Sequence, residues 1–148
     1  MRRAIALSAA VVFALAGCGG GGGGSKPQPL TKAAYEQKLG PLLNQQVAPA
    51  VRTALANGGI LDPKKVGDAI ASVKTAHDQM ASVTPPNAVA DLHKKAVSVL
   101  AALVSDMTKL RDAEGKKDTS AEAGALSQIT TDAKSLVDVG GQFTSRGY

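Results

Sequence analysis

From Thr31 onward, apolar residues recur every three or four positions and nowhere alternate strictly with polar ones. That period belongs to helices burying one face, not to strands. Tyr35, Leu39, Leu42, Val47, Val51 and Leu55 mark the first face. Pro41 and Pro49 fall inside it; each lacks an amide hydrogen and crowds the preceding turn, so a break or kink is expected at one or both. Asn57-Gly58-Gly59 accepts left-handed geometry and predicts the end of this helix. Asp62-Pro63 then supplies an N-cap and a proline at the first helical position. The second face is Val66, Ile70, Val73, His77, Met80 and Val83, and Thr84-Pro85-Pro86 stops it, because a residue before proline avoids helical geometry.

The third face is the strongest: Val89, Leu92, Ala96, Leu100, Leu103, Met107 and Leu110, closed by Gly115. Thr119-Ser120-Ala121-Glu122 has capping-box form and opens a fourth helix. Its face is Leu126, Ile129, Ala133, Leu136, Gly140 and Phe143, with Gly140-Gly141 as a possible early end or a close backbone approach. Four amphipathic helices with short connections predict an all-α fold, an antiparallel up-down four-helix bundle over residues 31–148. The roughly 120 residues involved suffice for one domain with one core.

The chain before Thr31 reads differently. Arg2-Arg3 precede thirteen mostly apolar residues from Ala4 to Ala16. As a helix these span roughly 20 Å, too short for a hydrocarbon core of about 30 Å. A basic start, a short apolar stretch and small residues at its end fit a removable secretory signal. Gly19 to Gly24 is an unbroken glycine run, followed by Ser25-Lys26-Pro27-Gln28-Pro29. Glycine this dense has nothing to bury and predicts a flexible tether, about 20 Å long on average and about 40 Å when stretched. It lacks the preceding strand and the Gly-Lys-Ser/Thr of a phosphate-binding loop.

Leu15-Ala16-Gly17-Cys18 resembles the lipobox of bacterial lipoproteins. The resemblance implies cleavage before Cys18, diacylglyceryl attachment to its thiol and acylation of the new amino terminus, by palmitate or a similar chain. It divides the chain into a signal peptide (1–17), a lipidated cysteine with tether (18–30) and the bundle. It also gives the lone cysteine of an exported chain a use other than a disulfide. Two or three acyl chains anchor stably where one does not. Gly19 in place of aspartate implies no inner-membrane retention, so the expected location is the exported side of the cell membrane or the outer membrane. The stretch from Thr84-Pro85-Pro86 to Leu92-His93, with the leucine stripe after it, resembles small helical lipoproteins of high-GC bacteria. That likeness implies a bundle and no particular activity.

Charge and chemistry narrow the function. The chain carries +5 overall, and without Arg2 and Arg3 it holds 15 basic against 12 acidic residues. This is too mild and too mixed for a nucleic-acid partner. In the up-down fold the membrane-distal half balances seven basic against seven acidic residues, while the proximal half keeps the excess, eight against five. Weak, salt-sensitive attraction to an anionic bilayer follows. Outside the leader the aromatics are Tyr35, Phe143 and Tyr148, which argues against stacking platforms and aromatic cages.

His77 and His93 lie eight residues on either side of Pro85, so an antiparallel hairpin sets both about 12 Å from the turn. A transition-metal site there, with Asp78 or Asp91, is the only sharp metal candidate, and the set falls short of the ligand number a structural site needs. No cofactor is expected, no Ser-His-Asp order is recognisable, and Asp106, Asp112 and Glu114 read as a solvated face. The expectation is a lipid-anchored cell-envelope protein with a non-catalytic binding or structural role, contacting the membrane and another envelope component. The alternative is a carrier of a small apolar ligand or metal ion within the bundle. A carrier predicts an internal pocket between helices, lined by small residues such as Ala96, Ala133 and Gly140; an adaptor predicts a filled core and an exposed apolar strip.

Overall fold

The computed structural model describes residues 28–55 and 62–148. The signal, Cys18, most of the tether and Asn57-Gly58-Gly59 lie outside the described residues. Every regular element within them is helical, and the architecture is an antiparallel four-helix bundle. Helix α1 covers residues 32–55 in three pieces: α-helix Lys32–Pro41, π-helix Leu42–Val47 and α-helix Ala48–Leu55. Helix α2 is Pro63–Ala81, α3 is Ala90–Lys116 and α4 is Thr119–Ser145, with a 3₁₀ turn, Asn87–Val89, before α3. None of them is long and apolar enough to cross a membrane.

The expected break in α1 takes the form of the π segment rather than a kink. The wide turn falls between Pro41 and Pro49, neither of which has an N–H to give the helix. The Ala48 N–H does bond five residues back, to the Leu43 carbonyl. The wide turn also rephases the helix. Its buried residues are Tyr35, Leu39, Leu42, Val47, Ala50 and Ala54, and the five-residue step from Leu42 to Val47 is the one the π turn absorbs. Past that step the buried face differs from the expected one. Val51 is only half-buried, and Leu55 is exposed.

In α2, Asp62 caps as expected, its carboxylate accepting from the Lys64 N–H at 3.0 Å. The buried face is Val66, Ala69, Val73, Ala76, Met80 and Val83, which leaves Ile70 and His77 at its edge. Two alanines take the centre because a small side chain lets the neighbouring helix approach. The face of α3 is the one its periodicity predicts, with every residue from Val89 to Leu110 in the stripe buried. The helix continues past Gly115 to Lys116, and Lys117 takes the left-handed turn at φ 56°. The cap of α4 is Asp118, one residue before the expected box, accepting from the Ala121 N–H at 3.0 Å. Gly140-Gly141 do not end α4, which runs on to Ser145.

Two hydrogen-bonded ties link chain segments at the end where the chain enters. The Leu30 N–H donates to the Thr84 carbonyl at 3.0 Å, pinning the segment before α1 to the α2–α3 connection. Arg146, just past α4, grips the start of α3 through both oxygens of Asp91 (2.7 and 2.8 Å) and the Ala88 carbonyl (2.9 Å). Fork-to-fork pairing of this kind fixes geometry as well as charge. It holds the Asp91 carboxyl below the usual carboxylate range.

Candidate functional site

Neighbouring helices do not pack equally. The α2–α3 and α3–α4 interfaces are extensive, whereas α1 and α4 meet mainly through Ala48–Leu55. Two adjoining grooves follow this seam. One, of about 340 Å³, lies between Leu43, Val47 and Val51 of α1 and Ala133, Leu136 and Val137 of α4. The other, of about 500 Å³, continues past Leu39, Gly40 and Leu43 to Gly140, Phe143 and Tyr148. Leu43 and Asn44 border both. The polar groups at the edges are few: Glu36, Asn44, Arg52 and Thr144. Val137 stands 73% exposed on the rim.

The seam stays open for a reason readable in the chain. Ala133 and Gly140 sit where a bundle helix ordinarily sends large side chains across, and a Cβ built on Gly140 meets nothing within 4 Å. Ala133 and Gly140 thus line the grooves, which open at the surface instead of forming the internal pocket expected of a carrier. Ala96, the third small residue of that expectation, is buried in the filled core instead. A more polar depression of about 280 Å³ lies between α1 and α2, beside Gln45, Gln46, Lys65 and Asp68.

A buried polar node lies beneath the Tyr148 end of the seam. Tyr35 is 1% exposed, and its hydroxyl lies 3.0 Å from His93 Nδ1. His93 also hydrogen-bonds the Met80 backbone carbonyl. With the protonated Tyr35 hydroxyl as donor, Nδ1 is the acceptor and the neutral ring carries its hydrogen on Nε2, toward Met80. Burial holds His93 below its ordinary pKa, the Met80 carbonyl opposing only in part. Burial, with Tyr148 nearby, pushes the Tyr35 hydroxyl up, so it stays protonated. Phe143 and Tyr148 pack on Tyr35, each with ring centroids 6.0 Å away, the latter edge-on. All three aromatics outside the leader therefore converge on one point, which their small number did not suggest. They fill space against one another instead of forming an open cage.

The two histidines part company. His77 is half-exposed and its Nδ1 sits 2.9 Å from Asp78, whose carboxyl is held low by Lys74 first and His77 second. His93 is the buried one, reversing the expectation that His77 lies in the apolar stripe. The Nδ1 of its ring is engaged by the Tyr35 hydroxyl. Among the described residues, no group of three or more His, Cys, Asp or Glu is arranged to hold a metal ion.

A second correction concerns Asp106, which is buried rather than part of a solvated face. Lys109 reaches its carboxylate at 2.6 Å. Asp132 of α4 faces it, and its carboxyl is pushed up by burial first and by the negative charge of Asp106 second. Asp132 therefore holds its proton more readily than a free carboxyl would. Asp112 remains at the surface beside Arg111, at 2.8 Å. No protein-family profile, curated protein or solved structure matches this chain.

Proposed function

We propose that this protein is a lipid-anchored component of the bacterial cell envelope that binds rather than catalyses, and that the α1–α4 seam is its binding surface. The observation that carries the reading is the seam itself, an apolar groove bordered by few polar groups, where α1 and α4 meet less closely than the other neighbouring helices. An apolar lining gives affinity through burial, at roughly 25 cal/mol per Å² removed from water, but no general acid, base or nucleophile. The anchor reading rests on the lipobox Leu15-Ala16-Gly17-Cys18 and the lone thiol. Cys18→Ser should move the protein from the detergent phase to the aqueous phase and remove a diacylglyceryl mass from the mature product. An intact leader, or a bare thiol on the native protein, would contradict it.

The exported domain is tethered at the end where Leu30 enters, so the Tyr35–Tyr148 end lies toward the bilayer in this reading. On that half Lys32, Lys74 and Arg146 are each paired with a carboxylate. Attraction to anionic vesicles should accordingly be weak and salt-sensitive, and equal co-sedimentation with neutral vesicles would refute it.

The carrier reading, a small apolar ligand held between helices, is favoured by one observation: Ala133 and Gly140 both line the grooves. Titration with a fluorescent long-chain fatty acid separates the two readings. Saturable binding that Val137→Arg weakens supports a carrier; absent binding, with photocrosslinks from position 137 to one envelope protein in intact cells, supports an adaptor.

A further inference from the structure

Every helix of the bundle contributes to the node around His93. From α1 comes the Tyr35 hydroxyl, from α2 the Met80 carbonyl, and from α4 and the turn after it Phe143 and Tyr148, both against Tyr35. The charged groups of this end lie at the surface: Lys32 pairs with Glu36 at 3.9 Å, Lys74 with Asp78 at 2.6 Å and Arg146 with Asp91 at 2.7 Å, while Lys38, Lys94 and Lys95 stand exposed and add only positive charge. No described charge is thereby left to neutralise an imidazolium at His93 from within the node. The node therefore tolerates neutral histidine and opposes its cation.

The opposition is geometric. In the neutral ring Nδ1 accepts from Tyr35 at 3.0 Å and the hydrogen sits on Nε2. A proton added to the Nδ1 lone pair turns that nitrogen into a donor facing another donor. The Tyr35 hydroxyl must then rotate to accept, and its own hydrogen loses the His93 acceptor, the one partner the hydroxyl has among the described residues. A buried donor left unmatched is costly in just the segment that has least else to hold it. Lys32–Pro41 buries only Tyr35 and Leu39, packs thinly on α4, and is followed at once by the π segment Leu42–Val47, a ready pivot.

We propose that the Tyr35–His93 hydrogen bond is a proton-operated latch: protonation of His93 in mild acid releases Lys32–Pro41 from the bundle and widens the groove at its Tyr148 end. The latch stands on the node alone; its use as a gate for ligand rests on the proposed binding role of the seam.

Hydrogen exchange on the intact chain in detergent, read by mass spectrometry at pH 7.5 and 5.0 and corrected for intrinsic exchange, tests it. Protection of peptides covering residues 32–41 should fall at least tenfold more than that of peptides covering 100–110. In Tyr35→Phe, residues 32–41 should already be about fivefold less protected at pH 7.5 and respond less to acid. His93→Asn keeps an acceptor near the Nδ1 position but cannot take a proton, so its protection should not depend on pH. A parallel loss in both segments, or an undiminished acid response in either variant, would overturn the latch. The exchange needs no ligand, so failure to bind the fatty-acid probe would count against the groove reading alone.

Discussion

Helices α3 and α1 pack into the bundle with different quality. In α3 an unbroken α-helical period places Leu92, Ala96, Leu100, Leu103, Met107 and Leu110 on one fully covered face, against both α2 and α4. In α1 two prolines, a π segment and the small residues Ala50 and Ala54 give a face that stays in phase only by a five-residue step. One side of α1 is left along an open groove. Stability is unevenly distributed through folded proteins, and segments that move or bind are drawn from the less stable end. The α3 side makes the scaffold; the α1–α4 seam is where this bundle can give way.

The largest effect that can break this comparison is a cavity. Leu103→Ala in α3 should cost about 3 kcal/mol of unfolding free energy in urea, because a fully buried leucine leaves a void the neighbours cannot fill. Leu43→Ala, on the wall of the groove and half-buried, should cost less than about 1 kcal/mol. Equal losses would mean that the seam is packed like the core.

Acid should come next. His93 is held below its ordinary pKa in the fold, so the unfolded chain binds more protons as pH falls through about 6.5. The stability that neutral His93 contributes is complete above that value and is lost below it, by at most about 1.4 kcal/mol per pH unit. His93→Asn should flatten this part of the stability–pH curve.

Asp132 has the opposite sign. Its carboxyl is raised in the fold, so ionising it as pH climbs past 3.8 works against folding. Asp132→Asn should therefore stabilise the α3–α4 pairing at pH 7, by roughly 0.5 kcal/mol after allowing for partial exposure, and by nothing at pH 3. The smallest effect belongs to Val137→Ser, which should change stability by less than about 0.5 kcal/mol at so exposed a position. A measurable loss of apolar-probe binding by the same variant would sharpen the assignment of the seam.

Legibility in the sequence followed the same division. The α3 stripe could be read residue by residue, because large apolar side chains at an undisturbed period leave one choice of face. In α1 the prolines announced a disturbance but not its form, and a one-residue change of phase moves burial from Val51 and Leu55 to Ala50 and Ala54. In α2 the buried positions Ala69 and Ala76 carry too little hydrophobic signal to outweigh Ile70 and His77. The groove was partly visible, since Ala133 and Gly140 stand out as small residues on a buried face. The node was not: Tyr35 and His93 are 58 residues apart, and periodicity says nothing about which polar tips meet across helices. Asp106 gave one usable sign, its place between Leu103 and Leu110 on the covered side, which its charge obscured.

Gly140→Leu tests the seam most directly. A Cβ there meets nothing within 4 Å, so the larger side chain can enter the groove without displacing the core. Replacing a mid-helix glycine should raise stability by roughly 0.5–1 kcal/mol. The account predicts that this more stable variant loses binding of a fluorescent long-chain fatty acid, or of the envelope partner crosslinked from position 137. Undiminished binding by a stabilised Gly140→Leu protein would contradict the α1–α4 groove as the binding surface.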